Sequence, residues 1–265
     1  MTDIKLIVAD VDGTLLNSRH ELTEFTRDTL LALQQGGIKF TVATGKVLSS
    51  IADIVAALGL DQPLILANGA LIQRADRTVF LETPLPPQYL PALIDCVKAS
   101  GLDYALFMHD QVFVPHRTHN TALIVEYDDP EPVEIGQTDL ADRSICKLIV
   151  LERNDIGQLD HLGNVLNETF HGILKAHRSV PGMLEVFNAQ TSKAVALQKV
   201  ADHLGLHMQQ VMAIGDSYND VDMLRAAGIA VAMGNAYDEV KREAQVTIGT
   251  NDEDGLAHYV AKFFV

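Results

Sequence analysis

Short apolar runs alternate with helical patterns at both ends of this 265-residue chain, and this alternation constrains its fold more than any other feature. Strands are predicted at 4–9, 38–44 and 64–67, with helices near 21–35 and 47–58 between them. The same pattern returns after about residue 190. Because right-handed crossovers place helices on both faces of a parallel sheet, we predict a doubly wound α/β fold with a Rossmann-like core.

The middle of the chain has a different pattern. Several prolines lie between residues 84 and 91, and a hairpin that turns at His109-Asp110 precedes a strand–helix–strand pattern at 145–178. We therefore expect an inserted α+β cap domain at 84–183, and a core domain formed by 1–83 together with 184–265. An insertion that returns the chain to the first sheet is a common way to build a lid over a site.

Composition argues against several classes of protein. A formal net charge of −15 disfavours a nucleic-acid partner and an anionic membrane surface. No run approaches the roughly 18 apolar residues that a membrane-spanning helix needs, and the first residues lack the pattern of a signal peptide. The two cysteines, Cys96 and Cys146, form no metal-binding or disulfide framework. We expect a cytoplasmic protein, either a monomer or a small homo-oligomer.

Two carboxylates follow the first predicted strand, in the run Asp10-Val11-Asp12-Gly13-Thr14. Burying a carboxylate costs several kcal/mol unless it is paired or bound to a cation. If the backbone stays extended, Asp10 and Asp12 point to the same side, because side chains alternate along a strand. An ordinary Asp-Gly turn is the alternative explanation for this run taken alone.

Thr44-Gly45 follows the second predicted strand, where a hydroxyl and exposed backbone N–H groups can bind an anion. A simple turn or helix cap explains that pair equally well in isolation. Lys193 opens a predicted helix, although the macrodipole favours acids at that position. Such a local conflict often marks a functional residue, and an exposed surface lysine is the alternative.

The strand predicted at 211–214 also ends in acids, within the run Gly215-Asp216-Ser217-Tyr218-Asn219-Asp220. The carboxyl ends of parallel strands lie along one edge of a sheet. We therefore expect Asp10, Asp12, Thr44 and Asp216 to converge there, and Lys193 can join them from its helix. Together these residues indicate a cation-assisted site.

With these motifs assembled, the chain resembles the haloacid dehalogenase superfamily phosphatases, of the Cof type with a type IIB cap. The resemblance covers the whole length, and the cap insertion falls between the second and third motifs. One departure concerns Lys46, which stands where the second motif usually ends in arginine. The four motifs are Asp10-Val11-Asp12-Gly13-Thr14-Leu15, Ala43-Thr44-Gly45-Lys46, Lys193, and Gly215-Asp216 through Asn219-Asp220.

The resemblance implies a role for each motif residue. Asp10 would be the nucleophile that forms an aspartyl-phosphate, and Asp12 the general acid and base. Mg²⁺ would be held by the Asp10 carboxylate, the Asp12 backbone carbonyl and Asp216. Asp220 would hold Lys193 or the metal site in place from outside the layer of residues that bind the phosphoryl group. The residues implied in phosphate binding are Thr44, Gly45, Lys193 and Asn219.

The expected function is therefore a magnesium-dependent phosphomonoester hydrolase acting on small phosphorylated metabolites, with sugar phosphates the foremost class. Two alternatives share the motifs: a phosphomutase using the same aspartyl-phosphate, and a non-catalytic protein that binds a phosphorylated ligand. A signalling receiver is disfavoured by the chain length, the insertion and Asp12. The cap would set specificity, and only polarity makes His109, Asp110 and His116 candidates there.

Overall fold

A computed structural model describes residues 3–135 and 144–263. The chain divides into two compact units. The core unit comprises Met1–Gly45, Ile51–Leu81 and Ser192–Val265, and the insert unit comprises Lys46–Ser50 and Glu82–Thr191. The grouping of Lys46–Ser50 with the insert unit had no signal in the sequence.

The core unit is built on a five-stranded sheet whose strands are all parallel. The strand β1 (Leu6–Ala9) lies inside the sheet and is buried along its whole length. Helices cover both faces of such sheets, so an inner strand is apolar at every position. The spatial order is β14 (Val246–Thr247), β13 (Ile229–Ala232), β12 (Val211–Gly215), β1 and β2 (Lys39–Val42).

Two helices of the core unit begin at side-chain caps. The first helix was predicted from residue 21 and begins three residues later, because the Thr23 side chain accepts a hydrogen bond from the Thr26 backbone N–H. Ser192 caps the helix that starts at Lys193 in the same way, through the Val195 N–H. The six α-helices described in this unit are α1 (Glu24–Gln35), α2 (Ala52–Leu58), α6 (Lys193–His203), α7 (Val221–Ala226), α8 (Asp238–Glu243) and α9 (Gly255–Val260).

The third predicted strand differs from the expectation. Strand β3 (Leu64–Leu66) meets the parallel sheet through a single bridge, between Ile65 and Ala43. A tight turn then reverses the chain, so β3 pairs antiparallel with β4 (Leu71–Gln73). Strand β5 (Val79–Glu82) completes a small separate sheet.

The insert unit contains a six-stranded sheet in which every pairing is antiparallel except that of β7 with β8. The predicted hairpin is present, with its turn at His109 and Asp110. The spatial order is β10 (Leu174–Arg178), β11 (Met183–Asn188), β9 (Lys147–Leu151), β6 (Asp103–Met108), β7 (Gln111–Val114) and β8 (Val133–Glu134).

Helices α3 (Leu90–Ser100) and α5 (Ile156–Thr169) bury their apolar residues with those of one sheet face, and α4 (Leu123–Glu126) packs among apolar residues of the other. The sequence did not predict α3, because Pro91 obscured it. Proline is well tolerated in a first helical turn, where its missing N–H has no partner to lose. Among the described residues, no helix is long and apolar enough to cross a lipid bilayer.

Candidate active site

The two carboxylates of the first motif have different surroundings. The chain leaves β1 at Asp10 and winds through one wide turn, Val11–Leu15. The Asp10 side chain is 9% exposed, whereas that of Asp12 is 39% exposed. The Asp12 Oδ1 atom lies 3.3 Å from Nδ1 of His20. One carboxylate is therefore buried and the other is accessible to a proton from solvent.

The first motif is fastened to the fourth. The Thr14 hydroxyl donates to Oδ1 of Asp216 at 2.8 Å. Gly13 has a φ of 76°, and a Cβ at this position would lie 2.5 Å from Oδ2 of Asp216. Only glycine satisfies both the left-handed backbone and this close approach. The ends of β1 and β12 therefore meet, as the parallel sheet predicted.

Lys193 joins this group from the first turn of α6. Its buried ammonium donates to Oδ1 of Asp10 at 2.6 Å and to Oδ1 of Asp220 at 2.7 Å. Burial alone would lower the pKa of Lys193, but the carboxylates of Asp10 and Asp220 raise it above its usual value. The lysine therefore stays charged, and the two carboxylates offset its unfavourable position in the helix dipole.

Both carboxylate oxygens of Asp220 accept hydrogen bonds from the protein. Its Oδ1 accepts from Lys193, and its Oδ2 accepts from the backbone N–H groups of Asp216 and Ser217, both at 3.0 Å. Of the two supporting roles implied for Asp220, the geometry favours holding Lys193. The same contacts fix the loop that carries Asp216.

Asp10 and Asp216 have the chemistry of a cation site. One oxygen from each of Asp10, Asp216 and Asp220 lies within 4.8 Å of the others. Within the described part of the chain, Oδ2 of Asp10 and Oδ2 of Asp216 accept no hydrogen bond. Three carboxylates face one ammonium, which leaves two formal negative charges in a buried region. A divalent ion that prefers oxygen ligands, such as Mg²⁺, fits this donor set.

The pKa values of the two carboxyls reflect this surplus. Burial raises the pKa of Asp10 well above its usual range; Lys193 opposes the shift, and Asp220 and Asp216 add to it. Burial and the Asp220 carboxylate raise the pKa of Asp216 to about 6, against the hydrogen bond from Thr14. Without a cation, both groups resist ionisation.

The predicted phosphate-binding residues of the second and fourth motifs meet through a residue that the sequence analysis missed. Nδ2 of Asn219 donates to Oδ1 of Asn68 at 2.9 Å. The Asn68 backbone N–H in turn donates to the Thr44 carbonyl at 2.8 Å. The sequence offered a signal for Asn68, because this residue lies two positions after Leu66, the last residue of β3. A strand adjoining the parallel sheet in the same direction ends at the same edge.

The polar candidates outside this group lie in the insert unit. Nζ of Lys46 donates to the Tyr127 carbonyl at 2.8 Å and lies 3.8 Å from the Asp128 carboxylate. Nε2 of His109 lies 3.0 Å from Oε1 of Glu82. The Asp110 carbonyl accepts from the Ser49 hydroxyl at 3.2 Å. His116 is exposed. None of these contacts assigns the residues to a ligand, and a role of His109, Asp110 and His116 in specificity stays a prediction.

Comparison with known proteins places the chain among phosphatases. A family model described as haloacid dehalogenase-like hydrolase matches residues 7–260. The 5-amino-6-(5-phospho-D-ribitylamino)uracil phosphatase YcsE of Bacillus subtilis is 31% identical over 255 residues, which cover 96% of this chain and 94% of the relative. The pyridoxal phosphate phosphatase YbhA of Escherichia coli is 28% identical and covers 97% of each chain.

Solved structures agree with the sequence comparison. A haloacid dehalogenase-like hydrolase from Bacteroides thetaiotaomicron superposes with a TM-score of 0.90 at 29% identity, over 98% of this chain and 100% of that one. The predicted fold class and the predicted resemblance are both confirmed. The chain belongs to the haloacid dehalogenase-like hydrolase family.

Proposed function

We propose that this chain is a magnesium-dependent phosphomonoesterase that hydrolyses small phosphorylated metabolites, sugar phosphates foremost, through an aspartyl-phosphate on Asp10. One observation carries the proposal. The buried Asp10 carboxylate is held at Oδ1 by Lys193, while its Oδ2 accepts no hydrogen bond from the described residues. A carboxylate fixed on one side and open on the other is suited to act as a nucleophile.

The reaction has two steps. One carboxylate oxygen of Asp10 attacks phosphorus, the ester P–O bond breaks, and Asp12 gives its proton to the leaving oxygen. A water molecule then attacks phosphorus, Asp12 takes a proton from that water, and the Asp10–phosphorus bond breaks to release phosphate. The accessible position of Asp12 suits this exchange, because its proton must pass between the leaving group and water.

Several residues would stabilise the charge that builds up on the phosphoryl group. Lys193 would interact with its oxygens through an ammonium that the neighbouring carboxylates keep protonated. Thr44, Gly45 and Asn219 would hold the same group by hydrogen bonds. The carboxylates of Asp10 and Asp216, with the Asp12 carbonyl, would hold Mg²⁺, which neutralises negative charge on phosphoryl oxygens.

The substrate class rests on chemistry common to the relatives. The names of the two relatives describe a pyridoxal phosphate phosphatase and a phosphatase of a phosphoribitylamino-uracil. Both substrates are small organic phosphates. Sugar phosphates, polyol phosphates and pyridoxal phosphate therefore form the first panel to test.

The test measures phosphate release from this panel with Mg²⁺, for the wild-type protein and for Asp10→Asn. Removing the nucleophile while keeping its shape is expected to lower kcat at least about 10³-fold. Asp28→Asn, an identical change on the exposed face of α1, is the matched control and is expected to retain activity. No release from any ester by the wild-type protein, or full activity in Asp10→Asn, would contradict the proposal.

Two other outcomes identify the alternatives. An isomerised sugar phosphate without net phosphate release would indicate a phosphomutase. Saturable binding of a phosphate ester without any chemical change would indicate a non-catalytic binding protein. Product analysis by ³¹P NMR separates both from hydrolysis.

A further inference from the structure

The turn between β3 and β4 has an unusual backbone. Ala67, Asn68 and Gly69 have φ values of 47°, 54° and 94°, three consecutive residues in the left-handed region. Residues other than glycine and asparagine rarely adopt this conformation, and such strain persists only where the surrounding structure enforces it. Strained turns of this kind are found preferentially at functional sites.

The turn is bound to the second motif. The Thr44 backbone N–H donates to the Ile65 carbonyl at 2.9 Å, and the Asn68 N–H donates to the Thr44 carbonyl at 2.8 Å. The Asn68 side chain also reaches Gly45, where a Cβ would lie 3.3 Å from Nδ2 of Asn68. Asn68 therefore contacts both residues that are expected to bind phosphate through this motif.

The same side chain orients Asn219. Nδ2 of Asn219 donates to Oδ1 of Asn68 at 2.9 Å, which fixes the plane of the Asn219 amide. Oδ1 of Asn219 is buried and has no hydrogen-bond partner among the described residues. A buried acceptor without a partner costs free energy, so a donor in a bound ligand or its water is the partner to expect.

The turn also abuts the start of α6. A Cβ on Gly69 would lie 2.4 Å from the carbonyl oxygen of Ser192, the residue immediately before Lys193. Gly69 thus lets the backbone of the turn pack directly against the helix that positions Lys193. Three of the predicted phosphate-binding segments meet this one turn.

We infer that Asn68 is a positioning residue that fixes the Thr44-Gly45 turn and the Asn219 amide in the geometry needed to hold the phosphoryl group. The inference rests on the proposed function, because it assigns a task within the same site. Asn68 does not act on the reacting atoms itself. The effect of its side chain is transmitted through Asn219, whereas the Thr44 carbonyl is held by the Asn68 backbone N–H, which glycine also supplies.

The main test is Asn68→Gly, which removes the side chain and keeps a residue suited to the left-handed backbone. We expect kcat/KM for the best phosphate ester to fall about 10- to 100-fold, since small misplacements of binding groups have effects of this size. Arg77→Gly is the matched control: Arg77 is exposed, has a φ of 70° and lies in another turn. We expect that control to keep wild-type kcat/KM.

A double-mutant cycle tests whether the effect passes through Asn219. If it does, Asn68→Gly lowers kcat/KM much less in an Asn219→Ala background than in the wild-type protein. Independent, multiplicative effects of the two changes would overturn the inference, as would wild-type kcat/KM in Asn68→Gly alone. An inactive wild-type protein would instead refute the proposed function, so the two failures are distinguishable.

A binding measurement keeps the inference testable if Asn68→Gly does not fold. Asn68→Asp keeps an acceptor for Asn219 and tolerates a left-handed backbone, but it introduces a carboxylate beside Gly45. Inorganic phosphate is the probe, titrated calorimetrically in the presence of Mg²⁺. We expect its Kd to rise at least about tenfold through charge repulsion. An unchanged Kd would show that Asn68 does not adjoin the phosphate position and would overturn the inference.

Discussion

Each of the two units contains a buried lysine paired with a carboxylate, yet the two pairs differ in their surroundings. In the core unit, Lys193 donates to Asp10 and Asp220. In the insert unit, Lys147 donates to Glu185 at 2.9 Å and lies over the Phe107 ring, 4.4 Å from its centroid. By distance and burial alone, the two pairs are nearly equivalent.

Charge balance separates them. The core group has three carboxylates for one ammonium. Around Lys147, two lysines face two enclosed carboxylates: Lys147 pairs with Glu185, and Lys147 and Lys46 both act on Asp129, while the Asp128 carboxylate beside Lys46 is exposed. Burial raises the pKa of Asp129 and the two lysines oppose that shift. A surplus of buried negative charge therefore indicates a cation site more reliably than a short lysine–carboxylate distance does.

The largest effect is expected for Lys193→Met. Removing the ammonium leaves Asp10 and Asp220 as buried carboxylates without their partner, and we expect the free energy of unfolding to fall by about 3–5 kcal/mol. Phosphatase activity should fall at least about 10³-fold, because a charge that stabilises the transition state is lost. Urea unfolding and an initial-rate assay measure the two effects. Retained activity would remove Lys193 from the site.

In the insert unit, a second substitution is expected to recover the stability lost when the buried lysine is replaced. Lys147→Met should cost about 3–5 kcal/mol, because it removes the ammonium that donates to the buried Glu185 carboxylate. Adding Glu185→Leu should restore most of that loss, since a balanced buried pair can often be replaced by apolar residues. The corresponding double change of Lys193 and Asp10 should not recover stability, because Asp216 and Asp220 remain. Urea unfolding of the two single and two double variants measures these free energies. Equal recovery of stability in both units would contradict the difference in charge balance between them.

Magnesium should distinguish the two clusters directly. At a Mg²⁺ concentration 100 times its Kd, binding should stabilise the wild-type protein by about 2.7 kcal/mol. Asp216→Asn should lose most of this stabilisation, whereas Glu185→Gln should keep it, because Asp216 belongs to the group of carboxylates that could hold the ion and Glu185 does not. Thermal unfolding with and without Mg²⁺ measures the shift. The same magnesium effect in both variants would refute a cation site at Asp216.

The stability of the metal-free protein should depend on pH through Asp216. The folded-state pKa of about 6 lies above the ordinary value of 3.8, so its stabilising contribution is present below the ordinary value and is lost as pH rises through 6. Relative to Asp216→Asn, the wild-type protein should therefore lose about 2 kcal/mol between pH 4 and pH 8. Unfolding measured in EDTA across this pH range gives the free energy of unfolding of the wild-type protein relative to Asp216→Asn. An increase of this difference with pH would contradict the raised pKa.

The smallest effect is expected for an exposed pair. Arg225 makes two 2.8 Å hydrogen bonds to Glu243, on the surface of the core unit. Arg225→Ala should leave the free energy of unfolding close to the wild-type value, because solvent screens exposed charges. A loss as large as that of Lys193→Met would show that burial does not control these energies.

Candidate site residues could be located from the sequence where they lie at or just after the end of a predicted strand. Asp10, Thr44 and Asp216 each follow an apolar strand, so the parallel sheet alone implies that they share an edge. Lys193 was found because its position conflicts with the helix dipole. The roles assigned to these residues stay predictions until the variants are measured.

Other features could not be predicted for physical reasons. The pairing of Lys147 with Glu185 depends on the register of β9 and β11, which are far apart in the chain. Strand β3 was placed fully in the parallel sheet, because the reversal at Asn68 depends on a left-handed backbone that propensity does not report. Lys46 is the last residue of the second motif, yet it groups with the insert unit, where it contacts Tyr127 and Asp128.

The boundaries between the two units have a practical consequence for protein engineering. The chain passes from one unit to the other four times, after Gly45, Ser50, Leu81 and Thr191. The first and last of these junctions lie within two residues of groups expected to hold phosphate. A chimaera that exchanges the insert of one relative for that of another must therefore transplant Lys46–Ser50 together with Glu82–Thr191. A graft of the longer segment alone would leave five residues selected for a partner that is no longer present.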